Sequence, residues 1–349
     1  MRFRLNPLTI KKFRRFQSIR RGYASLVILV LMILLSLGAE LLVNSRALVV
    51  RYNGEFFWPT YGNPIPGTTF GLDYQHETNY RDLSRKFEEE GGVNWVWMPV
   101  VPYNPYENDF QENTLPPAPP SFHDRHFCGT DASGRDVLAR LVYGFRLAIF
   151  FSLALLVATF GTGISIGSAM GYFGGLFDLF FQRLIEIWSS VPSLYVIIII
   201  ASVVIPNFWI LLFILWVFGW MGITWTMRTV TYKERARDYV LGARALGASH
   251  GRIIFKHILP NTVSVIVSYI PFQVAGGILS LAALDFLGFG LPPPEPSWGE
   301  LLQQGWANLS AWWLSGSVVV ALVLTLVLVT FIGEAVREAL DPKMHTTYE

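Results

Sequence analysis

Long uncharged apolar runs constrain this chain more than any motif does. No Asp, Glu, Lys or Arg occurs from Leu147 to Leu176, nor from Ile187 to Met227. About 20 consecutive apolar residues are enough to cross the hydrocarbon core of a bilayer as a helix. Hydrophobic residues make up 52% of the 349-residue chain and charged residues only 15%. The composition excludes two soluble domains and predicts an all-α polytopic membrane protein.

The runs predict six transmembrane helices with one large extracytoplasmic insert between the first and the second. The N-terminal segment, 1–21, carries eight Lys or Arg and no acid. The apolar run that follows it is of full spanning length, so we expect an uncleaved first helix; a signal peptide cleaved after Ala39 is the alternative. The predicted regions are 1–21, cytoplasmic; 22–43, first helix; 44–146, insert and elbow helix; and 147–349, a five-helix core with a coupling segment at 238–261.

Within the core, residues 187–227 are long enough for two spans hinged at Pro206-Asn207. We expect the fifth span from Asn261 to Leu284 and the sixth from about Trp312 to Gly333. The segment Arg228–Pro260 carries seven Lys or Arg, whereas the short connections 206–207 and 285–311 carry none. Short basic loops stay in the cytoplasm. The charge pattern therefore predicts that both termini and the 238–261 segment are cytoplasmic.

The polar, basic segment 238–261 predicts a short helix that ends in a turn. Asp238 can cap a helix over Tyr239–Leu246, because its carboxylate can accept from the free amides of the first turn. Gly247 can end that helix, since glycine tolerates the left-handed conformation common at helix C-termini.

A second short helix is predicted directly afterwards. Ser249 can cap it, it covers Gly251–Ile258, and Pro260 closes it. Two helices at an angle would present apolar side chains to a groove in a separate protein: Val240, Ala243, Leu246, Ile253 and Ile254. The alternative is a basic juxtamembrane linker held by anionic lipid.

The segment Phe127–Arg146 predicts an interfacial elbow helix that feeds the second span. The candidate caps are Thr130, Asp131 and Ser133. One apolar stripe consists of Val137, Leu138, Leu141 and Val142. Asp131, Arg135 and Asp136 suggest either a catalytic cluster or a cap with local ion pairs, and we favour the cap.

Other side chains carry smaller predictions. Gly163, Gly167 and Gly171 recur every fourth residue, which permits the close approach of another helix. Asp285, at the outer end of the fifth span, either contacts water as a helix-end residue, which we favour, or meets a peptide ammonium as a substrate gate. Expected local pairs are Arg183–Glu186 and Glu334–Arg337. Residues 88–90 are a solvated acidic helix face, and 114–121 is an extended linker. His123 and His126 have a metal-like spacing but no further ligand nearby, so we predict no metal site.

Part of the 238–261 segment resembles the EAA loop of permeases from binding-protein-dependent ATP-binding-cassette (ABC) importers, a pattern of E-A-A, three residues, Gly, nine residues and I-x-L-P. The matching residues are Ala243, Gly247, Leu259 and Pro260. The departures are Leu241 for the Glu, Gly242 for the first Ala and His257 for the Ile. Without that Glu, the helix has no capping box.

The resemblance extends over most of the chain. Residues 127–146 resemble the LGTDxxGRDVLSRLIYGxR element of dipeptide and oligopeptide importer permeases, with Cys128 in place of its Leu. The residues carried over are Gly129, Thr130, Asp131, Gly134, Arg135 and Asp136. The order of elements, through the stretch at 286–299 and FIGEAVREALDP at 331–342, is similar to the C-type permease of peptide importers. RYNGEFFWP (51–59), LDFLGFGLP (284–292) and GELLQQG (299–305) resemble the Yej-type branch, which is associated with peptides and microcin C.

The resemblance implies the type I importer permease fold and a mechanism. A periplasmic binding protein delivers peptide, a homologous second permease completes the pore in the bacterial inner membrane, and separate ATPase subunits bind ATP and Mg²⁺ and move the gate. The residues implied in ATPase coupling are Asp238, Tyr239, Val240, Ala243, Leu246, Gly247, Ala248, Ile253, Ile254, Leu259 and Pro260. This chain itself has no P-loop and no nucleic-acid motif, so we expect no bound cofactor, no nucleic-acid partner and no enzymatic activity.

Two other classes of protein remain as alternatives. An ion-coupled secondary transporter needs ionisable residues near mid-membrane, and the centres of the predicted spans have no Asp, Glu, Lys or Arg. A polytopic membrane enzyme needs a nucleophile or metal set, for which 44–146 offers only the pair His123 and His126.

Overall fold

A computed structural model describes residues 7–110 and 115–340. The ends of the predicted cytoplasmic termini, 1–6 and 341–349, and Thr114 of the predicted linker lie outside the described residues. The α-helices are α1 Pro7–Ser18, α2 Arg20–Leu37, α3 Ala39–Leu42, α4 Tyr80–Glu90, α5 Val137–Phe173, α6 Gly175–Ser189, α7 Ser193–Val203, α8 Phe208–Gly219, α9 Met221–Glu234, α10 Asp238–Ala245, α11 His250–Arg252, α12 Leu259–Phe286, α13 Trp298–Ala307 and α14 Trp312–Leu340. The strands are β1 Val49–Tyr52, β2 Glu55–Phe57 and β3 Trp95–Trp97.

Five helical stretches of the described chain are long and apolar enough to cross a membrane, and a bent pair brings the number to six if it counts as one span. The five are Arg20–Leu37, Val137–Phe173, Phe208–Glu234, His250–Phe286 and Trp312–Leu340. The bent pair, α6 and α7, turns by 64° at a break that contains Pro192. The pair begins at Gly175, ahead of the uncharged run from Ile187 in which the third span was predicted. Asn207 begins α8, and its side chain accepts from the amides of Trp209 and Ile210, at the predicted hinge.

The predicted elbow helix does not exist as a separate element. Val137–Phe173 is one continuous helix of 37 residues, about 55 Å long at 1.5 Å per residue. No proline lies between the start of this helix and its apolar centre, so the helical hydrogen bonds continue through both parts. Gly174, with φ of 66°, ends it.

Helix α5 is the centre of the bundle and packs closely on α9. A Cβ on Gly163 would clash with Ile223, one on Gly167 with the Thr224 carbonyl, and one on Gly171 would lie 2.5 Å from the Arg228 carbonyl. The predicted close approach is confirmed: the three glycines form the seam between these two helices.

Helices α2 and α14 contact each other near the start of α2 and the end of α14. Gly22 leaves room for Ala335, and Arg21 pairs with Glu334 at 3.6 Å. The predicted local pair Glu334–Arg337 is therefore wrong, because the carboxylate reaches a cation on the neighbouring helix instead. The predicted Arg183–Glu186 pair is confirmed at 2.5 Å, on exposed side chains.

The insert has its own small core, so the all-α prediction is wrong for this region. Strands β2, β1 and β3 form an antiparallel sheet in that order. The turn between β1 and β2 is Asn53-Gly54, both with positive φ, a pair that favours a tight hairpin. Helix α4 packs on the sheet through Leu83 and Phe87. Residues 88–90 are exposed at its end, as predicted, and 115–120 have no helix or strand.

Candidate coupling segment and outer polar network

The turn at Gly247 is the corner of the candidate coupling segment, residues 238–261. Gly247 has φ of 76°. Its N–H donates to the Arg244 carbonyl and the Ala248 N–H donates to the Ala243 carbonyl, both at 3.0 Å. This pattern is a Schellman motif, which satisfies the free carbonyls at a helix end. The predicted left-handed glycine is confirmed.

The predicted cap at Asp238 is wrong. Asp238 is the first residue of α10, Arg237 occupies the cap position, and no side chain caps the helix. A carboxylate in the first turn still interacts favourably with the helix dipole, so Asp238 stabilises the helix start without bonding to it.

The second predicted helix is not a separate element either. The chain is helical from His250 to Phe286, and Ile253–Ile258 forms a π-helical turn within it. The Leu259 N–H reaches back to the Ile254 carbonyl. Pro260 has no N–H and its ring crowds the preceding turn; the wider π turn accommodates it without ending the helix. The Ser249 hydroxyl makes no cap bond. The corner at Gly247 is thus joined rigidly to a membrane span.

Tyr172, near the C-terminal end of α5, is the residue on which the coupling segment packs. Val240, Ile253 and Ile258 are buried around its ring. Its hydroxyl lies 2.9 Å from His250 Nδ1, and its carbonyl accepts from Arg235 Nη1 at 3.0 Å. These contacts join the ends of α5 and α9 to the start of the helix that continues into α12.

The eleven residues predicted for coupling divide by exposure. The buried ones are Val240 and Ile253. The half-buried ones are Tyr239, Ala243, Ala248, Ile254 and Leu259. The exposed ones are Asp238, Leu246, Gly247 and Pro260. Val240 and Ile253 fill the chain's own core and are not free to enter a partner, whereas Leu246 is 90% exposed at the corner.

At the opposite end of α5, the residues of the predicted elbow form a buried polar network. Asp136 caps α5 by accepting from the Ala139 N–H at 2.6 Å. Asp131 instead closes a tight turn, accepting from Arg135 N at 3.0 Å and Arg135 Nε at 2.7 Å. The predicted cap at Thr130, Asp131 or Ser133 is wrong, because the helix begins later, at Val137.

Two glycines and a threonine hold the loop before that cap. Gly129 and Gly134 have φ of 75° and 79°. A Cβ on Gly134 would lie 2.8 Å from the Asp109 carbonyl. The Thr130 hydroxyl accepts from the Ala118 N–H at 2.8 Å. The loop is therefore fixed against the preceding insert rather than free at the surface.

The network extends to residues that the sequence did not indicate. Glu300 accepts from Arg135 Nη2 at 2.8 Å and also pairs with Arg140. Arg140 is fully buried and donates to the carbonyls of Pro105 at 3.2 Å and Glu295 at 3.0 Å. Burial lowers the pKa of Arg135, but its acidic neighbours outweigh that effect and raise it. Two arginines and two carboxylates thus connect the insert, α5 and the loop between the last two spans.

His126 joins the insert to the start of α5. Its Nδ1 lies 2.8 Å from Asp136 and its Nε2 lies 3.2 Å from Asp109. Its ring stacks on Tyr103 at 3.9 Å. Burial lowers the pKa of His126, but the two carboxylates outweigh burial and raise the pKa to about 9. His123 is exposed and does not join it. Across 7–110 and 115–340, no three His, Cys, Asp or Glu side chains are grouped to hold a metal ion.

Asp285 does not contact water, so that prediction is wrong. It is buried, accepts from the Leu291 N–H at 2.7 Å and accepts from the Ser297 hydroxyl. Gly290 and Gly299 both lie against it with no room for a Cβ. Asp285 therefore organises the proline-rich loop after α12, which folds back over the side chain.

These observations describe a membrane protein of several apolar helices, with an exposed corner at Gly247 near one end of α5 and a buried polar network at the other. Residues 163–346 match the family described as "Binding-protein-dependent transport system inner membrane component", and the chain belongs to that family. It is 42% identical over 341 residues to the "Inner membrane ABC transporter permease protein YejE" of Escherichia coli strain K12, covering 97% of this chain and 98% of the relative.

Two further relatives agree with this assignment. The chain is 37% identical over 362 residues to the "Peptidoglycan transport system permease protein YejE" of Agrobacterium fabrum, covering 97% of this chain and 94% of the relative. It is 33% identical over 250 residues to the "Oligopeptide transport system permease protein OppC" of Haemophilus influenzae, covering 71% of this chain and 80% of the relative. The two YejE matches span the insert, and the predicted Yej-type resemblance is confirmed.

Proposed function

We propose that this chain is a pore-forming permease subunit of an ABC importer for peptides, driven by separate ATPase subunits. The observation that carries the proposal is the corner at Gly247. It presents an exposed Leu246 at its tip while Val240 and Ile253 are buried beneath it. An exposed side chain on a closely packed corner is suited to contact with a partner protein.

The corner at Gly247 is rigid because the residues beneath it are closely packed. α10 packs on the π turn, and the π turn is continuous with α12. Well-packed helices move as rigid bodies between discrete arrangements. Closure of the ATPase subunits would therefore turn α12 together with the corner. The loop held by Asp285 and Glu300 at the far end of α12 would move with it.

The proposed partners are those that membership of this importer family implies. ATP and Mg²⁺ are bound by the ATPase subunits, a homologous second permease completes the pore, and a periplasmic binding protein docks on the side that carries the insert. Both termini and residues 238–261 face the cytoplasm in this arrangement. The relatives' names favour oligopeptides or peptidoglycan as the class of substrate, and uptake of microcin C stays an untested prediction.

The test is uptake of a labelled oligopeptide into vesicles that contain this chain, its second permease and the ATPase, with binding protein added. We expect uptake only with ATP and with the binding protein on the insert's side. Uptake on an ion gradient without ATP or ATPase would support a secondary transporter instead. Turnover of a lipid or peptide by the isolated chain would support a membrane enzyme.

A further inference from the structure

The helical stretch Phe208–Glu234 provides a depth scale for the membrane. Its uncharged part, 208–227, is about 30 Å long at 1.5 Å per residue, and the hydrocarbon core of a bilayer has about the same thickness. On this scale Val217 lies at the middle of the bilayer. Arg228, the first charged residue after the uncharged part, lies at its edge.

Two contacts place α6 on this scale. Near the start of α6, Asp178 accepts from Arg228 Nε and Nη2, both at 2.6 Å. Near its end, Trp188 donates its indole N–H to the Val217 carbonyl at 3.1 Å. Helix α6 therefore runs from one edge of the bilayer to its centre, and Pro192, at the break before α7, lies close to that centre.

The side of α6 that faces away from these contacts is polar. Arg183, Glu186 and Ser190 are spaced by three and four residues, so they lie on one face of the helix. Ile185, on the opposite face, is 2% exposed. The side chains of Arg183 and Glu186 are 68% and 49% exposed and pair with each other at 2.5 Å, and Ser190 is also exposed. We call Arg183, Glu186 and Ser190 the polar stripe of α6.

The exposed face of α14 shows what a lipid-facing surface of this chain contains. From 319 to 327 every exposed side chain on it is apolar: Val319, Val320, Val323, Leu324 and Val327. Charged side chains within a bilayer almost always face the interior of a helix bundle or a water-filled cavity. The polar stripe is therefore not a surface for lipid tails.

The backbone at the break between α6 and α7 leads to the same conclusion. Residues 190–192 are not helical, and all three are exposed. Pro192 has no N–H and cannot continue the hydrogen bonds of α6. Irregular backbone at membrane depth occurs only where it is buried in protein or lines a water-filled cavity. Since this segment is exposed in the chain, its polar groups need water or a second protein as a partner.

We propose that the polar stripe lines the hydrated passage by which the substrate crosses the half of the bilayer nearer the coupling segment. This inference rests on the proposed function and adds the side chains that a peptide meets on its way. Water suits this face better than a protein interface, because the desolvation of two charges can exceed the gain from their own ion pair. A peptide suits it chemically: Arg183 can donate to a carboxylate or a peptide carbonyl, and Glu186 can accept from an ammonium or a peptide N–H.

The first experiment measures the access of water to the stripe. Ser190→Cys and Val323→Cys are each made in a Cys128→Ser background, and the transporter complex in nanodiscs is treated with a charged, water-soluble thiosulfonate. Val323 is the matched control, since it is 54% exposed and lies eleven residues after the start of α14, about 16 Å along that helix. We expect the thiol of Ser190→Cys to react at least about tenfold faster, because hydrocarbon excludes the charged reagent.

Two results would overturn the proposal. Equally slow reaction of both thiols would assign the stripe to lipid. Protection of Ser190→Cys in the assembled complex, but not in the isolated chain, would assign the stripe to a subunit interface. The reaction needs no transport, so either result beside normal ATP-dependent uptake would remove this inference and leave the proposed function standing.

The second experiment asks whether the substrate meets the stripe. Glu186→Lys places two cations side by side, so we expect the ratio of lysine-rich to uncharged oligopeptide taken up to fall about fivefold or more. Glu186→Gln removes only one charge and should move the ratio in the same direction by a smaller factor. Glu89→Lys, an equal change at an exposed position of the insert, is the matched control and should leave the ratio unchanged. A native ratio in both Glu186 variants would overturn the proposal.

Discussion

Replacement of Gly247 by valine tests the coupling corner, because the corner depends on a backbone conformation rather than on space. No heavy atom lies within 4 Å of the position a Cβ would take, and φ is 76°. A substitution there is strained by its backbone alone. The left-handed conformation costs a residue with a Cβ about 1–2 kcal/mol.

The turn's hydrogen bonds add to that cost. The two Schellman bonds at 3.0 Å each contribute roughly 0.5–1.5 kcal/mol, and a distorted corner loses at least part of both. The total of about 2–3 kcal/mol shifts the balance between the native and the distorted corner by roughly 30- to 150-fold.

The assay is the number of peptides transported per ATP hydrolysed by the complex in vesicles. We expect Gly247→Val to lower this ratio about tenfold or more while membrane insertion stays normal. Gly247→Asn should stay near the native ratio, because asparagine tolerates the left-handed region. Gly242→Ala, at another open glycine in the same segment but without positive φ, is the second control. A valine variant that couples as well as the asparagine variant would refute the reasoning.

Three further predictions concern packing and charge. Glu300→Gln should lower the free energy of unfolding by about 3–5 kcal/mol, measured by denaturation in detergent, because it removes a carboxylate from two buried arginines, Arg135 and Arg140. The folded-state pKa of His126 is raised to about 9; protonation of this side chain therefore stabilises the fold below about pH 6.5, and that stability is lost as pH rises through 9. The melting temperature of the native protein should therefore fall more steeply between pH 7 and 10 than that of the His126→Asn variant. Gly167→Leu should overpack the α5–α9 seam and destabilise the bundle by at least about 1–3 kcal/mol, measured by the same denaturation.

The changes at Glu300 and Gly167 have matched controls. Glu186→Gln breaks an exposed pair and should cost less than about 1 kcal/mol. Gly161→Leu, on the same helix as Gly167 but facing open space, should be close to neutral. Equal effects of the buried and exposed changes would contradict the packing described here. A pH profile of His126→Asn identical to that of the native protein would contradict the role of its two carboxylates.

Features set by neighbouring residues were predictable. The uncharged runs located the five long apolar helices but not α6, which contains Asp178, Arg183 and Glu186. The spacing of Gly163, Gly167 and Gly171 identified the seam that α9 fills. Gly247 was predictable because the left-handed end of a helix selects glycine locally. The insert's hairpin also has a local signal, which the all-α prediction overlooks: Asn53-Gly54 favours the turn that joins β1 and β2.

Features that depend on distant contacts were not predictable. Arg140 and Glu300 are separated by 160 residues in sequence, and no local pattern indicates that they meet. Asp285 was predicted to contact water at a helix end because its hydrogen bond with Ser297 depends on the tertiary fold. Pro260 looked like a helix stop because a π turn that accommodates proline has no simple sequence pattern.

A chemical cross-link from the corner at Gly247 to the ATPase subunit would show coupling directly. Leu246→Cys is made in a Cys128→Ser background, and a short bifunctional maleimide is added to the assembled complex. We expect a cross-linked product that contains the ATPase subunit, and no labelling of this thiol by an impermeant maleimide added outside intact cells. Labelling from outside, with no capture of the ATPase, would contradict it.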